Sequence, residues 1–250
     1  MTLQDFFREE PSVALAFSGG VDSSYLLCEA IRSGAKVKAY YVKSAFQPQF
    51  ELDDALRLAR ELGAGMAVLP VDVLAAPEVC ANPADRCYHC KKRVFSTILA
   101  AARADGFHVL LDGTNASDDA GDRPGMRALR EMAVRSPLRE CGLTKAEIRR
   151  RSKEAGLFTW DKPAYACLAT RVPAGVPITG DILSRTEAAE GALFALGFTD
   201  FRVRWLDGRA KLQLPEDQLP RLLEHRAEVL SALKQWYGEV LLDLEVRGGN

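Results

Sequence analysis

Seven residues near the amino terminus, Ser18-Gly19-Gly20-Val21-Asp22-Ser23-Ser24, leave few architectures open. They follow an apolar run at 13–17 that reads as a buried strand, and they precede a segment at 25–31 whose apolar spacing is helical. Gly19 and Gly20 admit backbone angles closed to other residues and let main-chain N–H groups approach an anion, which then rests on the positive end of the helix. Ser18, Ser23 and Ser24 add hydroxyl donors, and Asp22 can hold Mg²⁺ against phosphates. A plain glycine turn with an Asp cap would look similar. Two glycines, three serines and an Asp packed between strand and helix weigh against it. The Gly-Lys-Ser/Thr ending of a Walker loop is absent.

Further along, strand patterns at 36–42, 66–71 and 108–112 alternate with helical ones at 50–62 and 94–103. With a short fifth strand at 136–138, this predicts an α/β fold with a doubly wound, mostly parallel five-stranded sheet. Ligands of such sheets bind beyond the carboxyl ends of the strands, where 18–24 lies. The small and polar residues at 113–119 after the fourth strand predict a second ligand loop, with Gly113 and Thr114 first in it and Arg123 a cation for a phosphate or carboxylate. Thr144-Lys145-Ala146-Glu147 is a capping box that opens a helix. From 179 the order becomes helix, strand, strand, helix (215–236), strand, with Asp207-Gly208 as a hairpin signal. We therefore expect residues 1–175 to form the main domain and 176–250 a small α+β domain, divided near Val176.

A formal net charge of -1 over 250 residues argues against a broad nucleic-acid surface. No apolar run reaches membrane-spanning length and no signal-peptide core is evident, so a cytoplasmic protein is expected. Its six cysteines are then thiols, metal ligands or reactive groups sooner than disulfides. Cys87 and Cys90 form a Cys-x-x-Cys near a helix start, compatible with a redox pair, half a zinc site, two ligands of an iron–sulfur cluster, or coincidence. Cys167 stands among small residues, with Lys162 and Arg171 as cations able to lower its pKa if they lie close to it.

The Ser-Gly-Gly-x-Asp-Ser turn resembles the PP-loop of the N-type ATP pyrophosphatases, which cleave ATP to AMP and pyrophosphate. With 85–92, 112–125, 136–138 and Cys167-Leu168-Ala169-Thr170-Arg171 added, nearly the whole chain is similar to the LarE family of ATP-dependent sulfur transferases. That family acts in synthesis of the nickel-pincer nucleotide cofactor of lactate racemase. The resemblance implies adenylation of a pyridinium dicarboxylate mononucleotide, with Ala16, Ser18, Gly19, Gly20, Asp22, Ser23, Ser24, Tyr41, Val42, Gly113, Thr114 and Arg123 toward ATP. It implies Arg171, Glu190 and Arg202 as substrate contacts, and Cys167 as the sulfur donor that is left as dehydroalanine. It also implies an alternative in which Cys87, Cys90 and Cys167 hold a [4Fe-4S] cluster that carries sulfide from an external source, zinc being the less expected metal. Cys80 is a reserve ligand, and Cys28 and Cys141 are expected to be inert. The family further implies a homo-oligomer, a hexamer. Two other readings of the residues are a PP-loop tRNA thiolase and a non-catalytic nucleotide-binding zinc protein.

Overall fold

The computed structural model describes residues 1–118 and 124–247. Two compact units divide the chain, one of residues 1–73 and 85–162, the other of 74–84 and 163 onward. The first unit begins with α1 (Leu3–Glu9), β1 (Ser12–Ala16), α2 (Val21–Arg32), β2 (Lys36–Lys43), α3 (Gln49–Glu61) and β3 (Gly65–Pro70). The short α4 (Pro77–Cys80) belongs to the second unit. The first then resumes with α5 (Arg86–Ala104), β4 (Leu110–Leu111), α6 (Pro124–Glu131), α7 (Pro137–Glu140) and α8 (Lys145–Glu154).

Its sheet runs β3-β2-β1-β4 with every pair parallel. The chain builds outward from β1 through β2 to β3, then returns to place β4 on the other side of β1. The crevice between β1 and β4 is therefore the switch point at which open parallel sheets bind ligands. Successive side chains of the central strands enter different cores. Val13, Leu15, Ala39 and Tyr41 pack with α1, α2 and α3, whereas Ala14, Tyr40 and Val42 pack with α5 and α6.

The expected fifth strand is not one: the described sheet has four strands, and residues 137–140 are α7. Pro137 has no N–H to give a sheet ladder and suits the first turn of a helix. From this stretch Arg135 pairs with β4, in an isolated parallel bridge to Leu111, with Asp112 N–H on the Arg135 carbonyl at 2.9 Å.

The second unit holds a 3-10 turn at Leu168–Arg171, then α9 (Gly180–Ala195), β5 (Arg202–Leu206), β6 (Arg209–Gln213), α10 (Leu219–Glu224), α11 (Arg226–Leu233) and β7 (Val240–Leu242). β5 and β6 form the expected hairpin, turning on Asp207 and Gly208, both with positive φ (48° and 80°) as a two-residue hairpin turn requires. β7 joins β6 in parallel. The helix expected over 215–236 is broken into a 3-10 turn, α10 and α11. The Pro/Gly-rich stretch around Val176 lies inside this unit, because Asn82 ties it down. The Asn82 side-chain N–H₂ donates to the carbonyls of Pro173 at 2.7 Å and Val176 at 3.0 Å, and the Asn82 main-chain carbonyl accepts from Gly175 N–H at 2.8 Å. Among the described residues no helix is long and apolar enough to cross a membrane.

Asn82 is 1% exposed and sits at φ +55°, a conformation Asn tolerates and Ala does not. Replacing it with Ala removes the donor of the part-buried Pro173 and Val176 carbonyls and puts an alanine at positive φ, and Asn82→Ala is expected to cost about 1–3 kcal/mol in urea unfolding. A loss too small to resolve would show that the 172–176 loop is held by something else.

Candidate active site

β1 ends at Ala16, and Phe17 N–H still reaches the Tyr40 carbonyl at 2.9 Å before the chain leaves the sheet. The turn that follows is held by its own serines. Ser18 N–H donates to Ser23 Oγ at 3.3 Å, the two hydroxyls lie 3.1 Å apart, and Gly20 N–H donates to Ser18 Oγ at 3.3 Å. Gly19 has φ +71°, and a Cβ there would come within 3.1 Å of the Ala55 Cβ on α3. Gly20 caps α2 without a side chain, so the N–H groups of Val21, Asp22 and Ser23 have no protein acceptor among the described residues. Three converging donors on the positive end of a helix make an anion site.

The loop after β4 closes over this turn. A Cβ on Gly113 would stand 3.0 Å from Ser23 N and 3.4 Å from the Asp22 Cβ, so a side chain there would press on the start of α2 and glycine suits the position. Buried Asp112 shapes the loop, accepting from Thr114 Oγ1 at 2.5 Å and from Ser136 Oγ at 2.6 Å. Asn115 then donates from Nδ2 to Asp22 Oδ1 at 3.3 Å. Lys145, at the first position of α8, holds the other carboxylate oxygen at 2.5 Å. Burial pushes the Asp22 carboxyl pKa up, while Lys145 works to lower it. The remaining ATP candidates fall into two groups: Ser24, Gly113 and Thr114 lie with the turn and its covering loop, but Tyr41 and Val42 are buried in the cores on opposite faces of β2. Arg123 lies outside the described residues.

In the second unit Cys167 is half-buried and caps the 3-10 turn, its carbonyl accepting from Thr170 N–H at 2.9 Å and Thr170 Oγ1 at 2.8 Å. Arg171 is fully buried and faces Glu190 on α9, Nε to Oε1 at 2.8 Å and Nη2 to Oε2 at 3.0 Å. Glu190 also accepts from Val203 N–H at 2.9 Å and from the Tyr165 hydroxyl, which fills its carboxylate. Burial works to lower the Arg171 pKa, and the Glu190 hydrogen bonds and charge outweigh it to leave the pKa raised. Three arginines grip the segment around Cys167 by its carbonyls: Arg171 on Ala166 at 2.8 Å, Arg202 on Ala164 at 2.6 Å and Arg204 on Thr170 at 3.0 Å. Burial, with Arg171 nearby, pushes the Arg202 pKa down to about 10. Lys162 belongs to the first unit, where its ammonium pairs with Asp54 at 2.6 Å.

Cys87 and Cys90 lie in the first two turns of α5, the former exposed and the latter half-exposed, three residues apart and so on one face. The Arg86 guanidinium lies 3.9 Å from the Cys87 sulfur. Among the described residues, no group of three His, Cys, Asp or Glu side chains is gathered to hold a metal ion. Burial pushes the Cys28 and Cys141 thiols up, as suits inert side chains.

Sequence reasoning missed Lys145, Tyr165 and Arg204, and had Asn115 only as a member of the predicted ligand loop at 113–119. A signal existed for Lys145: a cation in the first turn opposes the helix dipole, which calls for a nearby anion. The capping box hid it, and only half of that box forms, Thr144 accepting from Glu147 N–H at 3.3 Å while the Glu147 carboxylate turns to Arg150 and Arg151.

Removing the Glu190 carboxylate leaves the Arg171 charge buried and alone, and Glu190→Ala is expected to cost about 3–5 kcal/mol in urea unfolding. The double variant Arg171→Met/Glu190→Leu is expected to recover most of that loss. A single variant as stable as the parent would contradict the burial of this pair.

No protein-family model matches the chain. It is 36% identical over 224 residues to an uncharacterized protein of Synechocystis sp., spanning 89% of this chain and 83% of that one. A 75-residue stretch is 35% identical to the glutamine-dependent NAD(+) synthetase of Aquifex aeolicus, a likeness that covers 28% of this chain and 13% of the synthetase. The pyridinium-3,5-bisthiocarboxylic acid mononucleotide synthase of Lactiplantibacillus plantarum is 33% identical over 246 residues, 97% of this chain and 89% of the synthase. Likeness at that level, running nearly end to end in both proteins, is kinship: the chain belongs to the LarE family of sulfur transferases, to which that synthase belongs.

Proposed function

We propose that the chain is an ATP-dependent, AMP- and pyrophosphate-forming sulfurtransferase. Its substrate would be a pyridinium-3,5-dicarboxylate mononucleotide, converted to the thiocarboxylate in nickel-pincer cofactor synthesis. One observation carries the reading: the near full-length likeness to a synthase named for that thiocarboxylate product. The glycine turn at the switch point between β1 and β4 agrees with it.

The free N–H groups of Val21, Asp22 and Ser23, with the Ser18 and Ser23 hydroxyls, are donors suited to the phosphates. A substrate carboxylate oxygen attacks the α-phosphorus, the bond from that phosphorus to the β-phosphate oxygen breaks, and its electron pair leaves with pyrophosphate. Asp22, a half-exposed carboxylate beside the turn, fits Mg²⁺, which would neutralise charge on the leaving group. Arg171, Glu190 and Arg202 act on the substrate side, and their interlocked contacts fix the backbone around Cys167.

Sulfur enters by one of two routes. In the first, the Cys167 thiolate attacks the acyl adenylate, AMP leaves, and loss of the Cα proton breaks the Cβ–S bond to release thiocarboxylate and leave dehydroalanine. In the second, which rests on the family resemblance, Cys87, Cys90 and Cys167 would hold a [4Fe-4S] cluster, and that group would supply a sulfide of external origin. By family, the enzyme works as a cytoplasmic homohexamer on a doubly wound fold.

Anaerobically purified protein is expected to carry about one [4Fe-4S] cluster per chain by visible spectrum and iron analysis, with multiple turnovers on added sulfide. Bare protein that loses one sulfur mass from Cys167 per turnover selects the sacrificial route. Full thiolation by Cys167→Ala would overturn both. Asp22→Ala is expected to lower the rate of AMP formation by at least about 10²-fold; an unchanged rate would remove Asp22 from the chemistry.

A further inference from the structure

We infer that two copies of this chain meet through their second units, Leu244 of each entering the apolar groove that α10 and α11 leave beside β7 of the other, with Glu245 set against Arg226. The contact gives the homo-oligomer proposed above a two-fold face, and it rests on that reading only for the number of copies.

The groove offers about 220 Å³ between Leu212, Leu241 and Leu242 on the sheet and Leu222, Leu223 and Leu230 on the helices, with Arg226 also in its lining. β7 is the edge of its sheet, so no further strand among the described residues closes that side. Leu223 is 70% exposed although it lines the groove.

Two residues beyond Leu242 stands Leu244, 88% exposed. It is not carried on loose chain. Asp243 N–H donates to the Leu212 carbonyl at 2.8 Å, and Arg247 N–H to the Leu214 carbonyl at 2.9 Å. The side chains beside it are also tied, Asp243 to Lys211 at 2.8 Å and Arg247 to Asp200 at 2.8 Å. A leucine fixed in water next to a leucine-lined hollow is a knob beside a hole, and such exposed apolar patches mark contact surfaces. A two-fold axis sets each knob over the other copy's hole, so one patch serves both partners.

The charges point to the same occupant. Among the described residues the Arg226 guanidinium has no acceptor, and the Glu245 carboxylate, exposed and next to the knob, has no donor. Glu239 and Asp243, which flank β7, are neutralised in place by Arg209 at 3.6 Å and Lys211 at 2.8 Å, so two such faces meet without net repulsion. The sequence Leu244-Glu245, apolar then acidic, matches a groove that is apolar with a basic member.

Sedimentation equilibrium of the full chain tests the contact. Leu244→Asp is expected to halve the mass of the parent assembly, with association weakened at least about 100-fold, because a carboxylate would have to enter the groove. Arg226→Glu and Glu245→Arg are each expected to weaken association at least about ten-fold, and the two together to return it to within about three-fold of the parent. Leu223→Lys serves if Leu244→Asp does not fold. An oligomeric parent whose mass none of these changes, or a double reversal no better than its singles, overturns this face and leaves the hexamer standing. A monomeric parent overturns both, the groove then belonging to a different protein.

Discussion

The structure at the site depends on how near Gly113 comes to the backbone nitrogen of Ser23, where an added Cβ would sit 3.0 Å away. Because β4 lies beside β1, the loops that leave the two strands meet, and a side chain at Gly113 would force them apart. With them together, Asn115 reaches Asp22, Ala116 N–H reaches the Leu143 carbonyl at 2.8 Å, and α8 starts where Lys145 can touch α2. A switch-point crevice thus becomes a charged pocket mouth on the amino end of a helix.

The second unit solves a different problem. Its informative residues are buried and mutually saturated: Glu190 accepts from Arg171, Tyr165 and Val203, and Arg171 and Arg202 both lie over the Tyr165 ring at 4.5 and 5.2 Å. Such a network contributes little net stability compared with an apolar core and a great deal of positional definition. Here it defines the backbone on both sides of Cys167, from the Ala164 carbonyl to that of Thr170. Under the function proposed for Cys167, a sulfur atom that meets an activated carboxyl group needs that definition more than the unit needs the stability.

What the sequence disclosed follows from how local each signal is. The glycine turn is a contiguous strand–turn–helix, so its placement could be read from seven residues. The Asp207-Gly208 hairpin was legible for the same reason. Residues 136–138 misled because a short apolar patch does not distinguish a strand from one turn of helix, and Pro137 decided it. The helix over 215–236 kept its apolar pattern but is interrupted at His225, which caps both α10 and α11. The partners of Lys145 and Glu190 were opaque in a deeper way. Taken alone, each is an ordinary helix charge, and each acquires its meaning from a partner 123 or 19 residues distant that only the fold supplies.

The central claim is that a carboxylate is activated at the turn between β1 and α2 by attack on the α-phosphorus of ATP. Substrate labelled with ¹⁸O in its carboxylates tests this directly, with the products resolved by mass spectrometry. Attack at the α-phosphorus places one ¹⁸O in AMP for each thiocarboxylate formed and none in pyrophosphate. Unlabelled AMP, or label emerging in orthophosphate beside ADP, would contradict it.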